Sequence, residues 1–172
     1  MRFATVLCLG SILCACSHTQ TVVRPSAPTA NFLSTDGYYV AMPPDGTFET
    51  KSYAGSGRKT AEIVRTELAR RAERVEIGLA QENSTESRAK ATAAGLTYAV
   101  LPSILHWEDR ATEWSGRTDK VTIRMVVVRA ATGEEVDSAN IEGESRALSF
   151  GGDHPEELLA VPVGQYFDAL FR

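Results

Sequence analysis

Apolar residues recur along this chain with two different periods, and the places where the period changes mark out its elements. After Gly37, the run Tyr38, Tyr39, Val40, Ala41 and Met42 stops at the turn cluster Pro43-Pro44-Asp45-Gly46, which predicts a first strand. Beyond Gly55-Ser56-Gly57, Ala61, Val64, Leu68, Ala72 and Val75 return at intervals of three and four, one face of a helix, with Ser56 placed to cap it. Glu62 with Arg65, and Glu67 with Arg70 and Arg71, stand three or four apart on the opposite surface and support that helix in solvent. Val75, Glu76 and Ile77 predict a short second strand. Ser84 then opens a small alanine-rich helix that runs through Arg88 to Ala94 and stops at Gly95.

The strongest strand pattern follows. Tyr98 to Leu105 is apolar apart from Pro102 and Ser103, and gives way to His106-Trp107-Glu108-Asp109-Arg110. Pro102 cannot donate to a ladder, so it predicts a bulge or a locally unpaired edge. Val121, Ile123, Met125 and Val127 alternate with polar residues, Ala131-Thr132-Gly133-Glu134 forms a hairpin turn, and Val136 to Leu148 returns as a further strand. At the end, Asp153 with Glu156 makes a capping signature, and Val163, Tyr166, Phe167, Leu170 and Phe171 form an apolar stripe expected to lie on the sheet. Pro162 is expected to split this last helix in two. The fold class is therefore α/β (α+β): βαβαβββα, a mixed sheet with a parallel first half and an antiparallel meander, and helices packed on it.

The residues ahead of this domain have a different character. Arg2 and the apolar stretch Phe3 to Leu13 have the make-up of a signal peptide, too short to span a bilayer, and His18, Thr19 and Gln20 follow at once. Leu13-Cys14-Ala15-Cys16 resembles the lipobox of bacterial lipoproteins, with Cys14 a departure at its second position. The resemblance implies removal of residues 1–15 and acylation of Cys16. Ser17 in place of Asp implies, in Gram-negative lipoproteins, passage to the outer membrane. All three cysteines, Cys8, Cys14 and Cys16, lie in or directly after the leader, so the mature body has no disulfide and must be held by its core alone. Acyl chains contribute about 0.8 kcal/mol per buried methylene, enough for two or three of them to anchor the domain.

Residues 17–36, rich in Ser, Thr, Pro and Ala with Pro25 and Pro28, predict an extended tether behind Cys16, leaving residues 37–172 as one globular domain. The chain has 18 basic and 22 acidic side chains, a mild negative excess that argues against nucleic acid or a polybasic membrane patch. Gly55-Ser56-Gly57-Arg58-Lys59-Thr60 lacks the glycine spacing of a nucleotide loop, since Arg58 intervenes and Tyr53 occupies the earlier position. The same stretch fails as a nucleophile elbow, with Ala54 and Arg58 where glycines are needed.

His106, Glu108 and Asp109 invite a metal reading, yet on a strand His106 and Glu108 share one face and Asp109 points to the other, with His154 far off in sequence. No cofactor or catalytic group is assigned. Trp107 and Trp114 flank a polar hairpin, and aromatics so placed favour recognition. Trp107, Glu108, Asp109, Arg110 and Trp114 are the candidate partner-binding residues. The alternative for Trp107 is to fill space beneath the sheet, and for Trp114 to fold back on it.

Three stretches, Ala94-Gly95-Leu96-Thr97-Tyr98-Ala99-Val100, Ser103-Ile104-Leu105-His106-Trp107-Glu108-Asp109 and Val126-Val127-Val128-Arg129-Ala130-Ala131-Thr132-Gly133-Glu134, resemble the amino-terminal domain of TolB and the domains of the curli-secretion and penicillin-binding-protein-activator lipoproteins. Leu105 to Gly116 and Phe150-Gly151-Gly152-Asp153-His154-Pro155 resemble an uncharacterised bacterial lipoprotein family without assigned activity, over residues 37–171. The resemblance implies an outer-membrane, periplasm-facing lipoprotein held by acyl chains on Cys16. Its domain would be a non-enzymatic binding or assembly module for a periplasmic or outer-membrane protein. A metal-dependent enzyme using His106 and Glu108 is the alternative.

Overall fold

A computed structural model describes residues 18–109, 118–145 and 154–171. In chain order the elements are β1 (Thr19–Val23), β2 (Gly37–Met42), β3 (Thr47–Phe48), β4 (Lys51–Ser52), α1 (Ser56–Leu68), β5 (Arg74–Gln81), α2 (Ser84–Ala93), β6 (Tyr98–Glu108), β7 (Lys120–Arg129), β8 (Glu135–Glu144) and α3 (Ala160–Leu170). The main sheet has the order β1-β8-β7-β6-β2-β5, and β3 pairs with β4 in a small separate ribbon. β2 runs parallel to both β5 and β6, while β6, β7, β8 and β1 are successively antiparallel. The expected mixed sheet, parallel then meandering, is what the chain forms.

β2 is buried along its whole length, as an inner parallel strand covered on both faces must be. Its alternate side chains enter two separate cores. Tyr38, Val40 and Met42 face α1 and α3 together with Val64, Leu68, Ile123, Met125, Ile141, Tyr166 and Phe167. Tyr39 faces α2 in a smaller cluster with Ala91, Leu96, Ala99 and Val128. Since α2 covers only one part of that second face, Ser103, Arg124 and Asn140 lie exposed in register across β6, β7 and β8.

Four local expectations are corrected by the structure. The segment read as a tether joins the fold from Thr19 onward: β1 pairs with β8 from Thr19↔Glu144 to Val23↔Asn140, and Val22 packs against the main core. Its β-branched Thr and Val residues favour a strand, a preference masked by the prolines that follow. Phe32 is also buried, 5.1 Å from the Tyr98 ring. Ser56 does not cap α1. Gly55, at φ 86°, is the N-cap, and Asp45 accepts the N–H groups of Gly55 (3.1 Å) and Gly57 (2.8 Å), while Ser56 Oγ accepts that of Gly46 (2.8 Å). A long-range carboxylate thus replaces the local hydroxyl.

α2 opens at Ser84 as expected, with Asn83 before it as the cap, in a reciprocal box with Glu86. Pro162 does not split a helix, because α3 begins only at Ala160 and the proline falls in its first turn, where no intrahelical donor is lost. The strand expected from Val136 to Leu148 begins at Glu135, and among the described residues it ends at Glu144. Asp153 lies outside the described residues.

Other local signals held. Gly133 takes φ 78° in the β7–β8 turn and Gly95 φ 67° after α2. β2 stops pairing with β6 after Val100, so Pro102 stands where one side of β6 has no ladder, and a register shift follows between Ile104 and His106. Glu67 pairs with Arg70 (3.1 Å) and Arg71 (3.6 Å), and Arg71 reaches Asp168 of α3 (2.7 Å), clasping the two helices on the same face.

Candidate functional site

The long arm of β6 carries the candidate residues to one end of the sheet. There Glu108 pairs with Lys120 of β7, Lys120 with Glu144 of β8, and Glu144 with Thr19 of β1, a single row across four strands. Thr118 Oγ1 (2.9 Å) and Lys120 Nζ (3.1 Å) hold the Glu144 carboxylate, and those two hydrogen bonds lower its pKa. Asp119 and Ser145 close the row, the Asp119 N–H donating to Ser145 Oγ at 2.8 Å and the Ser145 N–H to the Asp119 carbonyl at 2.9 Å.

Trp107 is 2% exposed and belongs to the main core, where it faces Val121 across the ladder. A Cβ on Gly46 would come within 2.7 Å of the Trp107 Cβ, so the loop after β2 closes directly over it. Trp107 therefore fills space beneath the sheet. Glu108 is buried as well, and its Oε2 lies 3.1 Å from Nε2 of His106, the strand-face pair expected from their spacing. Phe48 meets the His106 ring edge-on at 4.9 Å. Asp109 is partly exposed; its N–H donates to the Tyr53 hydroxyl at 3.4 Å, and its carboxylate is 3.6 Å from Nδ1 of His154. Tertiary folding thus delivers His154 to Asp109 and not to the His106–Glu108 pair. Among the described residues no cluster of three or more His, Cys, Asp or Glu is arranged to hold a metal. Cys16, Arg110 and Trp114 lie outside the described residues.

Two further features carry no simple sequence signal. At the carboxyl end of β2, where α1 and α2 cross to opposite faces, a cleft of about 540 Å³ is lined by Pro43, Pro44, Glu82, Asn83, Pro102 and Ser103. Such switch points are where open α/β sheets bind ligands. Here the charged group is already satisfied: Glu82 accepts from the Tyr39 hydroxyl (2.8 Å), Ser87 Oγ (3.2 Å) and Lys90 Nζ (2.8 Å). Burial first, and then the Glu82 contact, push the Tyr39 pKa up. The second feature is a buried trio in which Asp137 Oδ2 accepts from the Tyr166 hydroxyl at 2.6 Å and Oδ1 lies 2.9 Å from Arg24 Nε. That second contact is close but misaligned, and neither atom has a hydrogen-bond partner among the described residues; it is an electrostatic contact. Arg24 also lies over the Tyr166 ring, 5.1 Å from its centroid.

A family model described as "Domain of unknown function (DUF4823)" matches residues 33–170. No curated protein matches the sequence. Among solved structures, the PelC dodecamer from Paraburkholderia phytofirmans is similar with a TM-score of 0.69 at 16% identity, over 88% of this chain and 97% of that one. At such identity the likeness shows a shared fold. Lipoprotein GNA1162 from Neisseria meningitidis is similar at a TM-score of 0.48 and 11% identity, over 78% of this chain and 94% of its own. The LpoB C-terminal domain from Salmonella enterica follows at 0.43 and 14%, over 67% and 85%.

Proposed function

The chain belongs to the DUF4823 family of domains of unknown function, and on that footing we propose that it is a lipid-anchored envelope lipoprotein working as a non-catalytic binding and assembly module. In this reading the leader over residues 1–15 is removed, Cys16 carries the acyl chains, and the domain faces the periplasm from the outer membrane. The single observation that carries it is Leu13-Cys14-Ala15-Cys16 at the end of a short apolar run, in a chain whose body has no other cysteine. The thiol left after processing has no protein partner to pair with, and acylation accounts for it.

PelC, which shares the fold, is a dodecamer, and that supports assembly of copies or docking of another envelope protein as the domain's role. The partner-binding surface is assigned to the β6–β7 connection. Asp109, Arg110 and Trp114 supply the contacts there, and buried Trp107 and Glu108 brace its base.

Cys16→Ser tests the anchor. The wild-type chain is expected to incorporate labelled palmitate and sediment with membranes, and the variant to do neither. A variant that sediments as before overturns the reading. For the partner surface, Trp114→Ala is expected to abolish co-purification of the crosslinked partner with the thermal midpoint unchanged.

A further inference from the structure

The anchor and the first strand are too close together for a stand-off tether. Cys16 precedes Thr19 by three residues, a reach of about 10 Å even when fully extended. Thr19 is already fixed in the sheet opposite Glu144. Nothing further along supplies slack, because β1 stays paired to Val23, Arg24 lies against Asp137, the Thr29 N–H donates to the Val136 carbonyl at 2.8 Å, and Phe32 is buried.

β1 also enters the sheet at a definite end. Its first residue lies in the row shared with Lys120 and Glu144, where β7 begins and β8 finishes. The Ala131–Glu134 turn is at the opposite end, beyond the ten residues of β7, about 30 Å away at the usual rise per residue. The row at the near end is polar: Thr19 is exposed, and the Lys120 and Glu144 side chains are 46% and 41% exposed. Such a surface suits lipid headgroups and not hydrocarbon.

We propose that the anchored domain stands on the lipid surface in one orientation, with the sheet end bearing Thr19, Lys120 and Glu144 against the headgroups and the β7–β8 turn pointing away. This rests on acylation of Cys16.

The test uses the full acylated chain, which has no other thiol once the leader is gone, on vesicles of phosphatidylethanolamine and phosphatidylglycerol containing a headgroup-nitroxide lipid. A fluorophore is placed at Lys120→Cys in one preparation and at Thr132→Cys in another. Quenching several-fold stronger at 120 than at 132 is expected, with the ratio falling toward one when ten Gly-Ser residues are inserted between Ser17 and His18. Thr19→Cys, on the same row, reports the same height should Lys120→Cys fail to fold. A chain that sediments with the vesicles yet shows equal quenching at both positions overturns the orientation and leaves the anchor standing. A chain that does not sediment overturns both.

Discussion

The Tyr166 hydroxyl donates to Oδ2 of Asp137 at 2.6 Å, a buried hydrogen bond that ties α3 to β8 across the main core. Both side chains are almost wholly enclosed, and Arg24 approaches the other carboxylate oxygen from the end of β1. Removing a donor to a buried charged acceptor costs more than the hydrogen bond itself contributes, because the acceptor loses compensation without regaining water. Tyr166→Phe is therefore expected to lower stability by about 1–3 kcal/mol, read as a fall in the urea midpoint at unchanged slope. A midpoint equal to wild type would mean that water or Arg24 replaces the hydroxyl without loss.

The same carboxylate sets a pH dependence. Burial raises the Asp137 pKa above the ordinary aspartate value, and the hydrogen bond from Tyr166 and the charge of Arg24 only partly pull it back. A folded-state pKa above the unfolded one means that the native state holds the proton more tightly. The stability Asp137 contributes is present in full below the unfolded value, about pH 4, and declines as pH rises through the raised one. Glu144 has the opposite sign, with a lowered pKa whose contribution is lost as pH falls, and its exposure to solvent keeps that effect small. The stability of wild type relative to Asp137→Asn is thus expected to decrease as pH rises from about 4 and then level off. Parallel urea titrations of the two proteins check this, and a difference that is flat or grows with pH contradicts it.

Trp107→Ala is expected to cost about 3–5 kcal/mol, as for other large aromatics truncated in a core. The ring is enclosed by the main core, and the loop at Gly46 closes over it, so truncation leaves a buried cavity. Thermal unfolding is the measurement. Any loss of partner binding in this variant should track the unfolded fraction, in contrast to Trp114→Ala; a Trp107→Ala protein as stable as wild type would return the residue to the list of direct contacts.

The elements that could be read from the chain were those whose pattern is local. The period-two run Val121 to Val127, the three-and-four spacing from Ala61 to Leu68 and the glycine turn at Gly133 each specify their own backbone, and together such patterns predict the succession of helices and strands. What local patterns do not encode is which distant group satisfies a polar atom. Ser56 has the composition of a cap, yet its Oγ accepts from the Gly46 N–H, and Asp45, eleven residues earlier, accepts the amides of Gly55 and Gly57 at the start of the helix. β1 was hidden for a related reason: one strand at a sheet edge needs only Val22 to face the core, and with Val23 beside it exposed so short a run has no readable period. At the candidate site, the His106–Glu108 pair followed from strand alternation, whereas the meeting of Asp109 with His154 depends on the return of the chain ahead of α3.

Val22 also sets how β1 is released. Val22 is the residue of β1 that packs against the main core, and a carboxylate held there is less well solvated than on a released strand. β1 is an edge strand paired only with β8, so the ladders joining β8, β7, β6, β2 and β5 do not depend on it. Val22→Asp should therefore peel the strand and leave the body intact, adding residues 19–23 to the slack between Cys16 and the fold. Hydrogen exchange followed by mass spectrometry reads this directly: the peptide covering 19–24 loses its protection in the variant, while the peptides of β6 and β7 keep theirs. Global loss of protection would instead make β1 integral to the fold. Unchanged protection at 19–24 would show that the pairing with β8 and the Arg24–Asp137 contact hold the strand without help from Val22.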